Sequence, residues 1–428
     1  MRVPDSLANA FGEPFERLIA DFSAAQGLIP GGDSAGPLDL NESLHSKRFL
    51  SRTVVPHILK LSALFNRQEK EQSAALDPYW KESSNPAHLR AAYFLYFMPS
   101  NLFRAAAVWA ELGRLGFRWP SAISTLKGIE FGAGPAPGAC STAIASKLGI
   151  LDFPESGNWA LIEQDKAMLE LGSAWAQKWF AEQGRADWGV RPFHRKLSLS
   201  DGFLPRSAPR FNLWMMSFFL NELSESPAEI ARALTNAWER HLEEEGVIVL
   251  IEPALKLQSR KLLEIRREIL ILREKKGLDW LQILLPCLGH QACGALASTD
   301  DWCHEEATWW RPPYFSQIDK LAGLDRKTLP FSYLVIAKSK RAREEILPGL
   351  GKQPDAARRY RLVSPSHKEG REQEFYLCGA EGKRRARYRG PEEQSEEEKK
   401  LERGDILVGT EIRGDSKSSR VENFENRV

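Results

Sequence analysis

Residues 130–138 read Glu130-Phe131-Gly132-Ala133-Gly134-Pro135-Ala136-Pro137-Gly138. The run follows LKGIEF (126–131), a short apolar strand, and precedes STAIASKLG (141–149), a helix closed by Gly149. An acid ends the strand and glycines follow at once. Glycine lets the chain turn sharply and lets a ligand approach without meeting a Cβ. The dinucleotide fingerprint is G-x-G-x-x-G. Here the third glycine falls one place late, and Pro135 and Pro137 remove amide donors that a pyrophosphate would use. A ligand without phosphates fits better, which points to S-adenosylmethionine. In that reading Gly132, Gly134 and Gly138 seat the cofactor, and Glu130 holds its cationic amino-acid end. The competing reading is a structural glycine turn in some other α/β domain.

The second strand, WALIEQ (159–164), places Glu163 at its end, where an acid accepts hydrogen bonds from both ribose hydroxyls. Gly132 and Glu163 are farther apart than the usual ~20 residues, and a longer loop accounts for part of this. The block Glu163-Gln164-Asp165-Lys166-Ala167-Met168-Leu169 resembles the second conserved block of class I methyltransferases. FNLWMMSFFL (211–220) and GVIVLIEP (246–253) have the length of buried strands, with a helix, SPAEIARALTNAWERHLEEE, between them. SYLVIAKSK (332–340) reads as a terminal strand. Strands alternating with helices predict a parallel sheet covered on both faces. The fold class is therefore α/β, the Rossmann-like sheet of a class I S-adenosylmethionine-dependent methyltransferase.

Upstream, AFGEPFERLIADFSAA and NPAHLRAAYFLYFMPSNLFRAAAVWAELGRLG space apolar residues three and four apart, so residues 1–120 read as an N-terminal helical domain. Pro99 predicts a break in the second of these. Pro30, Gly31, Gly32 and Pro37 predict a loop between helices. Residues 121–340 form the methyltransferase-like domain, with a cysteine-rich insertion at 278–312. Residues 341–428 read as a charged, partly flexible extension that contributes Cys378, with EEQSEEEKKLERGD (392–405) as a mobile, low-complexity stretch.

Of 428 residues, 43% are hydrophobic and 27% charged, which excludes wholesale disorder. Fifty-nine basic residues against 57 acidic ones exclude a uniformly basic binder but not a local basic face. No apolar run reaches the roughly 18 residues of a membrane span, and the N-terminus lacks a secretory pattern. The expectation is a cytoplasmic chain with no membrane partner. Its five cysteines then read as thiols in a reducing compartment, suited to metal or redox chemistry.

Asn221-Glu222-Leu223 follows the strand that ends at Leu220. Strand C-terminal ends carry the site in this fold, so Asn221 and Glu222 are the candidate catalytic pair. The competing reading makes Asn221 the N-cap of the next helix. The chain has no Asn-Pro-Pro-Tyr stretch of the kind found in amino-methylating enzymes of nucleic acids. The block also has no cysteine for a covalent cytosine-C5 mechanism.

Cys287, Cys293 and Cys303 fall close together, with His290 and His304 among them and Cys378 far downstream. Thiolates are soft ligands, and four of them can hold either zinc or an iron–sulfur cluster. Buried structural cysteines are the bland alternative. Cys140, just past the glycine turn, reads as a packing residue.

Glu130–Gly138, Asn221-Glu222-Leu223, Ile251-Glu252-Pro253 with its basic helix, Pro286-Cys287…Cys293, Asp301-Trp302-Cys303-His304 and Ser332-Tyr333-Leu334-Val335 occur in one order. That order resembles the Rsm-type small-ribosomal-subunit methyltransferase-like family of bacteria and mitochondria. The resemblance covers 40–410 loosely and 126–340 closely. It implies a class I methyltransferase fold that acts on, or helps assemble, the small ribosomal subunit. It also implies a structural [4Fe–4S] cluster on Cys287, Cys293, Cys303 and Cys378, in preference to zinc, with the histidines as neighbours. The chain departs from the family at the first ligand, where it has Cys287-Leu288-Gly289-His290 and Cys-Pro-His is usual, at Gly294, usually proline, and at Ala136, usually glycine.

The helix 254–277 carries Lys256, Arg260, Lys261, Arg266, Arg267, Arg273, Lys275 and Lys276 against Glu264, Glu268 and Glu274. Such a surplus neutralises phosphates, or is a solvated face laced with ion pairs. The resemblance favours small-subunit ribosomal RNA or the pre-ribosomal subunit as partner. Basic stretches at 338–343, 358–361 and 383–389 would extend the footprint. The expected protein is a monomeric S-adenosylmethionine-dependent RNA methyltransferase. Its rival is an assembly factor that binds RNA and has lost methyl transfer.

Overall fold

The apolar runs become the centre of one mixed sheet. The computed structural model describes residues 1–29, 44–65, 86–200, 202–351, 358–390, 400–415 and 419–428. The loop expected around Pro30–Pro37 and most of the low-complexity stretch lie outside those residues. The strands are β1 (Thr125–Phe131), β2 (Ser156–Glu163), β3 (Trp188–His194), β4 (Phe211–Ser217), β5 (Leu242–Pro253), β6 (Leu281–Leu285), β7 (Glu305–Thr308) and β8 (Thr328–Lys338). They lie in the order β3-β2-β1-β4-β5-β8-β6, with β7 also paired to β8. β1 to β5 run parallel, while β8 is antiparallel to both β5 and β6. This is the class I methyltransferase sheet.

The wholly parallel sheet expected from the sequence is thus corrected at β8. Both faces of β8 are covered, so its hydrophobic run reads the same in either direction. β3 was not foreseen. It is an edge strand with Pro192 in it and mostly exposed side chains, so it has no apolar run to read.

The helices of ten residues or more are α1 (Glu13–Ala25), α2 (Val55–Phe65), α3 (Met98–Arg114), α4 (Pro137–Lys147), α5 (Lys166–Glu182), α6 (Pro227–His241), α7 (Lys256–Lys276) and α8 (Pro313–Ala322). Side chains alternate across the sheet. Leu213 and Met215 of β4 join the core under α1–α5 and α8, while Trp214 and Met216 join the core under α6 and α7. The N-terminal helices share the first core, where Phe15 meets Trp179 edge-to-face at 5.5 Å. The break expected at Pro99 takes the form of a π turn, Tyr93–Phe97, between the helix Pro86–Ala92 and α3. Pro99 then sits in the first turn of α3, where a missing N–H costs nothing. Among the described residues no helix is long and apolar enough to cross a membrane.

The C-terminal stretch expected as a charged extension is a second folded sheet. Its strands are β9 (Tyr360–Leu362), β10 (His367–Glu369), β11 (Glu372–Gly379), β12 (Gly382–Tyr388), β13 (Ile406–Val408), β14 (Glu411–Gly414), β15 (Ser419–Asn423) and β16 (Asn426–Arg427). Phe375, Leu377, Tyr388, Leu401 and Val421 form its core. Leu401 and Asp405, at the end of the low-complexity stretch, are buried. The sequence concealed this sheet because its apolar residues alternate with Arg, Lys and Glu, so average polarity is high while one face stays apolar. Arg361 on β9 anchors the sheet. It is buried, pairs with Glu305 at 2.9 Å and also pairs with Glu111 of α3. The basic stretch 358–361 is therefore partly a buried clasp rather than RNA footprint, and Lys338 and Arg341 pair with Glu244 and Glu245.

Candidate active site

The turn after β1 is left-handed at Gly132 (φ 60°), Gly134 (φ 47°) and Ala136 (φ 57°). A Cβ on Gly132 would lie 2.7 Å from the Phe219 ring, so only glycine fits there. Gly134 faces open space, with the Tyr93 ring 4.0 Å from where its Cβ would be. Glu130 is buried, and its carboxylate accepts the Gly138 amide at 2.9 Å and the Ala139 amide at 2.8 Å. It therefore caps α4 from behind the turn rather than reaching a ligand. Burial pushes its carboxyl up to about 8 despite those donors. Gly138 serves the same contact, since a Cβ there would lie 2.7 Å from the Glu130 carboxylate. Both amides that a phosphate would want are thus occupied. Gly172 of α5 backs the turn; a Cβ on it would lie 2.1 Å from the Gly134 carbonyl.

Glu163 closes β2 beside this turn. Its Oε2 accepts the Gly134 amide at 2.9 Å, and Oε1 accepts the Gln164 and Asp165 amides at 2.8 and 3.0 Å. One lone pair on Oε2 remains for a ligand hydroxyl. Desolvation raises this carboxyl above its ordinary value. Ile162, Met168 and Leu197 continue the wall beyond it.

At the end of β4, Phe218 adopts a left-handed conformation (φ 58°). Such a turn in a bulky residue must be held by its surroundings, and Glu252 holds it. From the end of β5, Glu252 accepts the Leu220 amide at 2.7 Å and the Asn221 amide at 3.2 Å. The sequence put Glu252 in a motif without seeing this role. Burial pushes its carboxyl up to about 8. The Asn221 side-chain amide, in the orientation that satisfies its neighbours, donates to Glu252 at 3.0 Å and to the Phe218 carbonyl at 2.9 Å. Asn221 is not the helix cap, because Ser226 caps α6 with a capping box. Glu222 is exposed at the cleft, and burial, with the Glu222 charge added, raises the Tyr93 phenol.

These strand ends open into one cleft of about 1090 Å³, lined by Gly132, Gly134, Glu163, Asn221 and Glu222 among others. Across it stand residues the sequence reading missed. Tyr93 comes from the π turn, a geometry that recurs at functional sites. Arg104 of α3 lies 5.4 Å above the Phe218 ring and binds Asn101 Oδ1 at 2.8 Å. Burial, with Arg326 nearby, lowers Arg104 to about 9. Trp302 and His304 stack at 6.1 Å and also line the cleft, so the cysteine loop forms part of its wall.

Cys287, Cys293, Cys303 and Cys378 are each half-buried, and they influence one another's ionisation. Burial raises the Cys378 thiol to about 12, with Cys287 and Cys293 contributing, and raises Cys303, with Cys287, Cys378 and Cys293 contributing. Among the described residues no three of His, Cys, Asp and Glu are grouped to hold a metal ion. His290 accepts the Ile283 amide at 3.1 Å and burial lowers it to about 4, so it is a neutral hydrogen-bond acceptor here. Cys140 is buried and its carbonyl takes the Trp179 indole N–H at 2.9 Å.

Much of α7 serves this loop rather than a solvent face. Arg266 is buried and donates to the Gly289 carbonyl at 2.8 Å and the Gln291 carbonyl at 3.1 Å. Arg260 donates to the carbonyls of Ser298 and Asp301 at 2.7 and 2.6 Å. Lys261 is buried and donates to the Leu223 carbonyl, and Lys256 pairs with Asp300 at 3.0 Å. Charge on a helix reads from sequence as phosphate-seeking, but loop carbonyls that no strand or helix pairs need donors as well.

A family model described as mitochondrial small ribosomal subunit Rsm22 matches residues 91–390. No curated protein matches the chain. Among solved structures, it is similar to an arsenic(III) S-adenosylmethionine methyltransferase from Chlamydomonas reinhardtii, at 16% identity, covering 58% of this chain and 75% of that one, with a TM-score of 0.29. The O-methyltransferase TomG from Streptomyces achromogenes, in complex with SAM, matches at 14% identity over 68% of this chain and 98% of its own, TM-score 0.30. The magnesium protoporphyrin IX methyltransferase from Synechocystis, with bound SAH, matches at 11% identity over 62% and 99%, TM-score 0.32.

Proposed function

The chain belongs to the mitochondrial small ribosomal subunit Rsm22 family, and from that premise we propose that it is an S-adenosylmethionine-dependent methyltransferase of small-subunit ribosomal RNA, working in a reducing compartment such as the cytoplasm. The observation that carries the reading is the convergence of Gly132, Gly134, Glu163, Asn221 and Glu222 on one cleft at the strand C-terminal ends. Gly134 leaves room for the donor, Glu163 Oε2 takes a ribose hydroxyl, and Ile162, Met168 and Leu197 flank the adenine. Methyl transfer from a sulfonium needs alignment more than acid–base help. Phe218, held by Glu252, fixes the acceptor side, and Arg104 offers a cation to a backbone phosphate there.

The resemblance favours a [4Fe–4S] cluster over zinc on the four thiols, and their electrostatic influence on one another supports that reading. Arg266, Arg343 and Lys383 face these sulfurs electrostatically and would offset the charge of four thiolates. Cys287, Cys293, Cys303 and Cys378 would hold the cluster, which when bound supplies a cross-link between the loop and the second sheet. Its role in this reading is structural.

A second reading, an RNA-binding assembly factor without transfer, is favoured by one observation. The Asn221 side-chain N–H groups are both committed, to Glu252 and to the Phe218 carbonyl, which leaves neither to donate to an acceptor in the cleft. Incubating the protein with S-adenosylmethionine carrying a labelled methyl and small subunits from cells lacking it decides between them. Label in the ribosomal RNA is the expected result. Retained RNA binding with no label would leave the second reading.

A further inference from the structure

We propose that the outer face of the β11–β12 hairpin binds single-stranded RNA, with Tyr376 stacking a base and Arg385 and Arg387 holding phosphates. The proposal rests on the RNA-partner reading above and locates a site away from the cleft. It begins with topology. β9 pairs antiparallel with β11, β11 with β12, and β12 runs parallel to β15. β15 pairs antiparallel with β14, and β13 with β9. β13 and β14 are one bent strand, interrupted only by Gly409 and Thr410, with Gly409 at φ 66°. Counting that strand once, five strands close a barrel in the order one-two-three-five-four-one. This is the connectivity of an OB fold, whose second and third strands present the face that takes oligonucleotides. Those strands are β11 and β12.

The chemistry of that face agrees. Phe375, Leu377, Ala386 and Tyr388 point into the barrel core. Their alternates, Glu374, Tyr376, Lys383, Arg385 and Arg387, therefore share the outer face. Tyr376 is 43% exposed and lies opposite Arg385 in the register. Lys383 Nζ stands 4.9 Å from its ring centroid. An exposed ring among cations is a platform for base stacking that tolerates any sequence. Glu374 draws in both arginines, Arg385 at 2.5 Å and Arg387 at 3.2 Å. Exposed ion pairs are weak, so a phosphate can take the place of this carboxylate. The inner end of the face is fixed to the cysteine loop by Lys383 to Asp301 at 2.7 Å and Gln291 to the Gly379 carbonyl at 3.1 Å. Cys378 sits at that end, so the platform is held in orientation against the body of the protein.

The test is fluorescence anisotropy with the full chain. The probes are a labelled, unstructured RNA of about twelve nucleotides, within the span of an OB barrel, and the same strand annealed into a duplex. The single strand should bind tighter than the duplex. Tyr376→Ala should weaken single-strand binding about tenfold, and Tyr376→Phe should restore it. Glu374→Gln should tighten binding. Arg387→Ala should reduce the slope of log affinity against log salt by about 0.7. Melting temperature and iron content should be unchanged in Tyr376→Ala, because the ring is exposed. Wild-type binding that Tyr376→Ala leaves intact, or a preference for the duplex, overturns this proposal alone. A wild-type chain that binds neither RNA overturns the RNA-partner reading with it.

Discussion

Glu163 Oε2 accepts the Gly134 amide at 2.9 Å, which ties the end of β2 to the turn that follows β1. Donor binding in this account depends on that turn keeping its shape. Gly172 supports it from behind and does not line the cleft. Gly172→Ala should therefore push the Gly134 carbonyl aside and weaken S-adenosylmethionine binding roughly tenfold, equivalent to about 1.4 kcal/mol. Titration calorimetry on folded variant checks this. Unchanged affinity would mean the turn is not the donor seat.

The second sheet depends on a buried charge. Glu111 and Glu305 lie on either side of Arg361, all essentially without solvent access. Arg361→Met should cost about 3–5 kcal/mol, because it removes the nearest cation from two buried carboxylates. Urea denaturation measures the loss. A change under 1 kcal/mol would show that the pair is equivalent to a surface contact.

The thiol site makes its own prediction. Cys378→Ser should remove most of the iron from protein purified without oxygen, and Arg266→Ala should do the same by releasing the Gly289 and Gln291 carbonyls. Metal analysis and absorption near the visible edge report it. Colourless wild-type protein with stoichiometric zinc would refute the cluster.

Glu252 gives a pH dependence of definite sign. Its folded value is raised to about 8 from an ordinary 4.5. Between those values the folded chain keeps a proton that the unfolded chain has lost. Its contribution is therefore present at low pH and lost as pH rises towards 8. Glu252→Gln mimics the protonated side chain at all pH. The melting temperature of wild type minus that of Glu252→Gln should fall as pH rises from about 5 to about 8. A difference that widens in favour of wild type would mean Glu252 is ionised in the fold.

The central sheet was legible because buried strands are written as apolar runs, and the run at Phe211–Ser217 is buried at every position. The glycine turn was legible because Gly132 and Gly134 adopt angles that other residues avoid. Glu130 was misplaced because an acid beside a glycine turn looks the same in sequence whether it faces a ligand or caps the helix behind. Arg260 and Arg266 misled for a related reason, since sequence records charge but not which carbonyls lie within reach. Tyr93 and Arg104 were missed because they enter the cleft from helices more than 20 residues upstream of the first strand, a juxtaposition that only packing creates.

The most direct measurement is calorimetric titration of the purified chain with S-adenosylmethionine, alongside Glu163→Ala and Gly134→Leu. The account predicts one molecule bound per wild-type chain, weakened by Glu163→Ala and abolished by Gly134→Leu, which fills the space beneath Tyr93. No heat of binding from folded wild type, or equal binding by all three proteins, would contradict it.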